Sequence, residues 1–274
     1  MTVAQASAER QGFETVAGSQ IHVTRWGDEG PRVILVHGSA QGSSAGGDRH
    51  FVAQRTLAAQ GWQLIVPDRP GHGRSLAPGR PDDAEADAVW VGELLGEGAH
   101  LIGHSFGGCV ALAAAARRPE AVRSLTLIEP GMQKLATDEP EVRALGLKMM
   151  RAILFSFSPQ RRARRFFELL GIPPEVRGRS DDAEMRRIGR SIAKLKVPSA
   201  AILRRQLEVV KAADVPLLVV NGGWSRAFDA TGIRVAEVGG GTHRIIASPH
   251  HFPNLVTNGF NELVADFMTQ SKRR

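Results

Sequence analysis

The run Gly103-His104-Ser105-Phe106-Gly107 brings together residue types that acyl transfer needs at close spacing. A serine hydroxyl becomes a nucleophile when a base takes its proton and when nearby N–H groups stabilise the oxyanion that forms. The motif follows an apolar stretch, Ala99 to Ile102, and opens an alanine-rich one, so it falls on a strand, sharp turn, helix junction. In such a turn the middle residue takes a strained backbone geometry and its flanks must be nearly free of side chain. That context matters, because among 30 glycines a G-x-S-x-G pattern alone arises readily by chance. The turn lifts Ser105 to a helix N-terminus, where N–H groups and the helix dipole favour developing negative charge. A second tight loop, His37-Gly38-Ser39-Ala40, follows another apolar run and can aim a further N–H at the same point. The N–H groups of Phe106 and Ser39 are therefore the expected oxyanion hole. His37 reads as a loop-ordering residue, His104 should face away from the site, and Cys109 reads as core packing.

The elements that must hold these residues alternate between short aliphatic runs and longer alanine-rich segments, the pattern of parallel strands joined by helices. Strands are expected at 20–25, 32–37, 63–66, 99–103, 124–128, 216–221 and 244–247. Several are apolar almost throughout, as strands covered by helices on both faces should be. Helices are expected at 51–60, 84–95, 106–117 and 260–269. After Glu129 the rhythm breaks, and from 133 to 211 only helix-like stretches appear, at 141–155, 159–170, 182–195 and 200–211. This divides the chain into a core, 1–132 with 212–274, and a helical insertion, 133–211. Such an insertion would cap the carboxyl edge of the sheet, where open α/β sheets bind ligands. Its Met149, Met150, Phe155, Phe157, Phe166 and Phe167 are candidates either for lining an apolar pocket or for holding the cap helices together.

Three motifs taken in order, His37-Gly38, then Asp68-Arg69-Pro70-Gly71-His72-Gly73-Arg74-Ser75, then Gly103 to Gly107, resemble the successive signatures of capped α/β-hydrolases. The resemblance covers nearly all of the chain outside the cap. It implies an α/β fold with an eight-stranded, mostly parallel sheet and a nucleophile, acid, histidine order. It places the base in the loop after the last strand, where His251-Phe252-Pro253 is similar to the family's His-x-Pro pattern, with His250 as the rival. His243 falls too early. The family's acid usually lies three residues after the glycine that ends the penultimate strand, but here that position is Ser225, which cannot balance an imidazolium. Two carboxylates remain as candidates, beside a dyad without a carboxylate. Glu129 ends the strand after the nucleophile helix, where haloalkane dehalogenases carry their acid, and Asp229 lies a little beyond the usual position. Glu129 is the preferred assignment. Epoxide hydrolases and haloalkane dehalogenases resemble this chain too, but attack with aspartate, whereas Ser105 suits an acyl carbon. The Asp68–Ser75 segment is expected beside the site with no catalytic role.

Composition narrows the reading further. A hydrophobic fraction of 42% and a charged fraction of 23% are ordinary for a globular domain. No apolar run is long enough to cross a membrane, and the polar start lacks the order of a secretory signal. The single cysteine permits no internal disulfide, and a cytoplasmic location is expected. The net charge of +7 is concentrated in segments such as Arg161-Arg162-Ala163-Arg164-Arg165 and Arg186-Arg187. Without interleaved aromatics, and with no tyrosine in the chain, these read as solvated helix faces rather than a nucleic-acid surface. His22, His50, His72 and His100 lack companion ligands at metal-site spacing, so no metal or organic cofactor is expected. The expected partner is a small-molecule acyl substrate, with neither nucleic acid nor membrane. The function these residues imply is hydrolysis of a carboxylic ester, lactone or thioester through an acyl-enzyme on Ser105. The alternatives are a ligand-binding protein, which Ser225 favours, or a lyase, cyclase or perhydrolase on the same scaffold.

Overall fold

Residues 33 to 36 show why the strands read as unbroken apolar runs. Side chains alternate across a strand: Val33 and Leu35 enter one core cluster, Ile34 and Val36 another, and all four are fully buried. A strand covered on both faces has no position left for a polar residue. The structure, a computed structural model, describes residues 9–38, 40–172, 174, 180–257 and 259–271.

Eight strands form one sheet: β1 (Glu9–Val16), β2 (Ser19–Trp26), β3 (Arg32–Val36), β4 (Gln63–Pro67), β5 (Ala99–His104), β6 (Val122–Ile128), β7 (Leu217–Asn221) and β8 (Thr242–Ile245). Their spatial order is β1-β2-β4-β3-β5-β6-β7-β8. Only the β1–β2 and β2–β4 pairs are antiparallel. The remaining pairs run parallel, so β3, β5, β6, β7 and β8 end along one edge. This is the eight-stranded, mostly parallel sheet that the resemblance implies.

Helices α1 (Ala84–Leu95) and α2 (Phe106–Arg117) cover one face. A 3₁₀ helix, Val52–Gln60, and the C-terminal helix α8 (Gly259–Gln270) cover the other. Asp83 caps α1, its side chain accepting from the N–H groups of Glu85 and Ala86. Between β6 and β7 the described residues hold α3 (Pro140–Leu154), α4 (Pro159–Leu169), α5 (Asp182–Ile192) and α6 (Ala200–Ala212), and no strand. Arg162 ties three of these segments, donating to the carbonyls of Ile153 and Gly189 at 3.0 Å each. Helix α7 (Arg226–Gly239) joins β7 to β8.

Three expectations need correction. Helix α6 falls inside the expected cap, 133–211, yet its Leu203, Leu207 and Val210 are fully buried in the main core with α2 and the sheet. It therefore packs as a core helix, and the helices over the sheet edge end before it. Strand β1 was given no strand by its polar sequence, because as an edge strand it is exposed along most of its length. Strand β8 begins two residues before the expected 244, again in an exposed edge strand whose sequence carries no burial pattern.

Candidate active site

The turn between β5 and α2 puts Ser105 at φ 55° and ψ −123°, a backbone region that side chains disfavour. It is held there from several directions. Its N–H donates to Ile128 O at 2.9 Å, and its carbonyl accepts from Gly108 and Gly131 at 2.9 and 3.0 Å. The flanking glycines have no space for a side chain. A Cβ on Gly107 would fall 2.2 Å from Val36 O, and one on Gly103 would fall 2.6 Å from Gly107 O. Gly38 approaches from the β3 loop, where a Cβ would lie 2.6 Å from that of Ser105. Phe106 is the first residue of α2, where a helix leaves its N–H groups without intrahelical acceptors. Ser39, the other expected oxyanion donor, lies outside the described residues.

His251 and Glu129 meet although 122 residues separate them. The imidazole Nδ1 lies 3.3 Å from Glu129 Oε2, and both side chains are fully buried. That acceptor selects the Nδ1–H tautomer. Glu129 follows β6 at φ 46°, a second strained position. Its other oxygen, Oε1, accepts the Gly222 N–H at 2.5 Å. Burial pushes Glu129 up to about 7, partly offset by the Gly222 bond, and burial pushes His251 down to about 3. The imidazole is thus neutral at neutral pH, as a base must be. Its Nε2 is buried without a hydrogen-bond partner among the described residues, and His251 and Ser105 line the same cavity.

The rival residues are elsewhere engaged. Asp229 is in the first turn of α7, its carboxyl raised by burial and by the neighbouring Glu129 charge. No hydrogen bond or ion pair joins it to His251 among the described residues. His250 Nδ1 accepts from Phe252 N–H at 3.2 Å. His243 Nε2 sits 3.0 Å from Asn221 Oδ1 on the neighbouring strand. Cys109 is buried and pushed up to about 12, which keeps it an unreactive thiol.

His104 departs from expectation. Its ring does not face away but lies 4.8 Å from that of His251, and its Nε2 donates to the His251 carbonyl at 2.7 Å. It ends a column of buried rings that runs from His72 through His37 and His50, with centroids 5.0 to 6.2 Å apart. His37 has the expected ordering role: Nε2 accepts from Arg69 N–H at 2.9 Å, which leaves Nδ1–H to donate to Gly38 O at 2.8 Å. The Asp68–Ser75 segment also sits beside the site. Its fully buried Arg69 pairs with Asp82 and Asp87, and its guanidinium carbon lies 4.8 Å from the Phe106 ring centre. Asp82 in turn accepts the Gln41 N–H at 2.9 Å. Arg69 thereby stacks on Phe106 and, through Asp82, is linked to Gln41. No local sequence signal marks these partners of His104 and Arg69, because each contact joins distant segments.

The cavity has a volume of about 190 Å³, with Ser105, Phe106 and His251 in its floor. Cap helices supply apolar walls through Met149, Ile153, Phe166, Phe167, Ile188 and Ile192. Met150, Phe155 and Phe157, considered for the same role, are instead exposed.

A family model described as the alpha/beta hydrolase fold matches residues 31–174. The chain belongs to the α/β-hydrolase fold family. Among relatives of this family, a pimeloyl-[acyl-carrier protein] methyl ester esterase of Neisseria meningitidis serogroup A is 34% identical over 70% of this chain and 61% of its own. The match therefore spans about three fifths of that protein. An N-acyl homoserine lactonase solved with N-hexanoyl homoserine superimposes with a TM-score of 0.70 at 22% identity, covering 97% of this chain and 98% of that one. A thioesterase domain from the curacin biosynthetic pathway superimposes at 0.64 with 21% identity, over 94% and 99% of the two chains. At those identities the two structures speak for the α/β-hydrolase fold alone.

Proposed function

We propose that this chain is a serine hydrolase that cleaves a carboxylic ester, lactone or thioester through an acyl-enzyme on Ser105. The observation that carries the reading is the buried Glu129–His251 pair, whose His251 lines one cavity with a serine held at positive φ. His251 Nε2 takes the Ser105 proton as Oγ attacks the acyl carbon, and Glu129 stabilises the imidazolium. The oxyanion is held by N–H groups at Phe106 and Ser39. The proton then passes from Nε2 to the leaving group, and a water activated by the same nitrogen releases the acid.

The names of the relatives agree with this chemistry, since an oxoester, a lactone and a thioester all react by attack on an acyl carbon. The apolar cap walls suit an apolar acyl group, with the segment from 133 to the start of α6 acting as the cap. Turnover of p-nitrophenyl acyl esters of graded chain length, for the unaltered protein beside Ser105→Ala, tests the proposal. Activity lost in the variant supports acyl transfer. A protein that turns over none of these esters and takes no fluorophosphonate label on Ser105 refutes it.

A further inference from the structure

Helix α3 has two apolar sides. Met149 and Ile153 face the cavity, while Leu147, Met150 and Leu154, spaced three and four apart, lie along an adjoining, solvent-facing side. Phe155 and Phe157 extend that stripe beyond the helix end, and Phe157 is 94% exposed. Five large apolar side chains in one exposed patch are uncommon on a surface with no occupant. Every charged residue between Val142 and Phe167 is cationic: Arg143, Lys148, Arg151 and the four arginines of α4. Arg151, Arg161 and Arg165 are exposed beside the stripe or on the adjoining helix.

We propose that this face docks the protein on an anionic lipid surface, with the apolar stripe inserted at the headgroup boundary and the cations on the lipid phosphates. Charge chooses among occupants. A second copy would bring these cations, in a chain of net charge +7, against their own kind. An anionic surface complements them. Phe157, almost free of contacts with its own chain, suits a fluid layer that needs no matching pocket. The lack of a spanning segment bears on crossing a membrane, not on lying against one, so the proposal departs from the expectation of no membrane partner. Because the adjoining side of α3 walls the cavity, docking would set the cap beside a pool of apolar esters. Only this last step rests on the acyl-transfer reading.

Vesicle co-sedimentation of the full-length Ser105→Ala protein separates the two. Vesicles of phosphatidylcholine with phosphatidylglycerol should bind it, and pure phosphatidylcholine should bind at least about tenfold more weakly. Phe155→Ser with Phe157→Ser should weaken binding to the anionic vesicles by about tenfold. The same pair, placed on a catalytically intact chain, should leave turnover of a soluble short-chain ester unchanged. Absence of binding at low salt overturns the proposal, as does binding indifferent to the two phenylalanines. Self-association through this face, or binding to an acidic carrier protein but not to vesicles, overturns it as well.

Discussion

Ser105, His251 and Glu129 have separable tasks in the proposed reaction, and their variants should separate accordingly. Ser105→Ala and His251→Ala should each lower kcat by roughly a thousandfold or more. Glu129→Gln should cost less than either and far more than Asp229→Asn, because of the two acids Glu129 is the one bonded to the imidazole among the described residues. A steady-state comparison of the four variants checks this ranking, and the reverse order for the two acids would move the role to Asp229. Acid should act through the same pair. A carboxyl raised by burial is protonated at higher pH than an ordinary one, so the charged form is present above about 7 and lost below it. The fall in kcat/KM on acidification should therefore lie near about pH 7, with an apparent pKa that belongs to the pair. In Glu129→Gln the limb should move to lower pH, since only His251, pushed down by burial, remains to titrate. An unmoved limb would dissociate Glu129 from the base.

Two helices that resemble each other in sequence should behave differently when cut back. Leu207→Ala in α6 removes a fully buried core side chain and should destabilise the protein by about 2–5 kcal/mol. Phe166→Ala in α4 alters a cavity wall, and should change acyl-chain preference with a smaller loss in Tm. Thermal melts and ester profiles of the two variants give the comparison. Gly38→Ala would drive a methyl into Ser105 and should depress kcat by about a hundredfold as the β3 loop backs away. How much of this was readable follows from what each element touches. Strands β3, β5, β6 and β7 are buried on both faces, so their sequences are apolar enough to stand out. Exposed β1 left no such trace. For α6 the sequence carries the apolar face but not the body it meets, and so it was grouped with the cap. The elbow at Ser105 is local and was legible from five residues. Glu129 came through a family likeness, while the bonds from His104 to His251 and from Gly222 to Glu129 belong to tertiary structure alone.

Across the molecule the buried histidines should set its tolerance of acid. His37, His50, His104 and His251 are held below their ordinary range chiefly by burial, and His72 and His100 are lowered to about 4. Between those values and about 6.5 the unfolded chain binds more protons than the folded one, so stability rises with pH and is lost as pH falls. Each such group contributes a slope of about 1.4 kcal/mol per pH unit, opposed in part by Glu129, whose raised carboxyl binds a proton in the fold. The histidines outnumber it. Melting temperatures from neutral pH to about pH 5 should fall steeply, beginning near about 6.5. A flat profile would mean that the ring column admits charge or water.

The two strained backbones of the site, at Ser105 and Glu129, set heat resistance against turnover. Non-glycine residues at φ 55° and 46° store on the order of 1–3 kcal/mol each, which glycine would relieve. A mutant library selected only for survival at high temperature should gather glycine at 105 and 129, and its fittest members should be its least active. Engineering for robustness in this chain therefore has to be blind to these two positions, because the discomfort there is what presents the hydroxyl and the carboxylate to each other's partner.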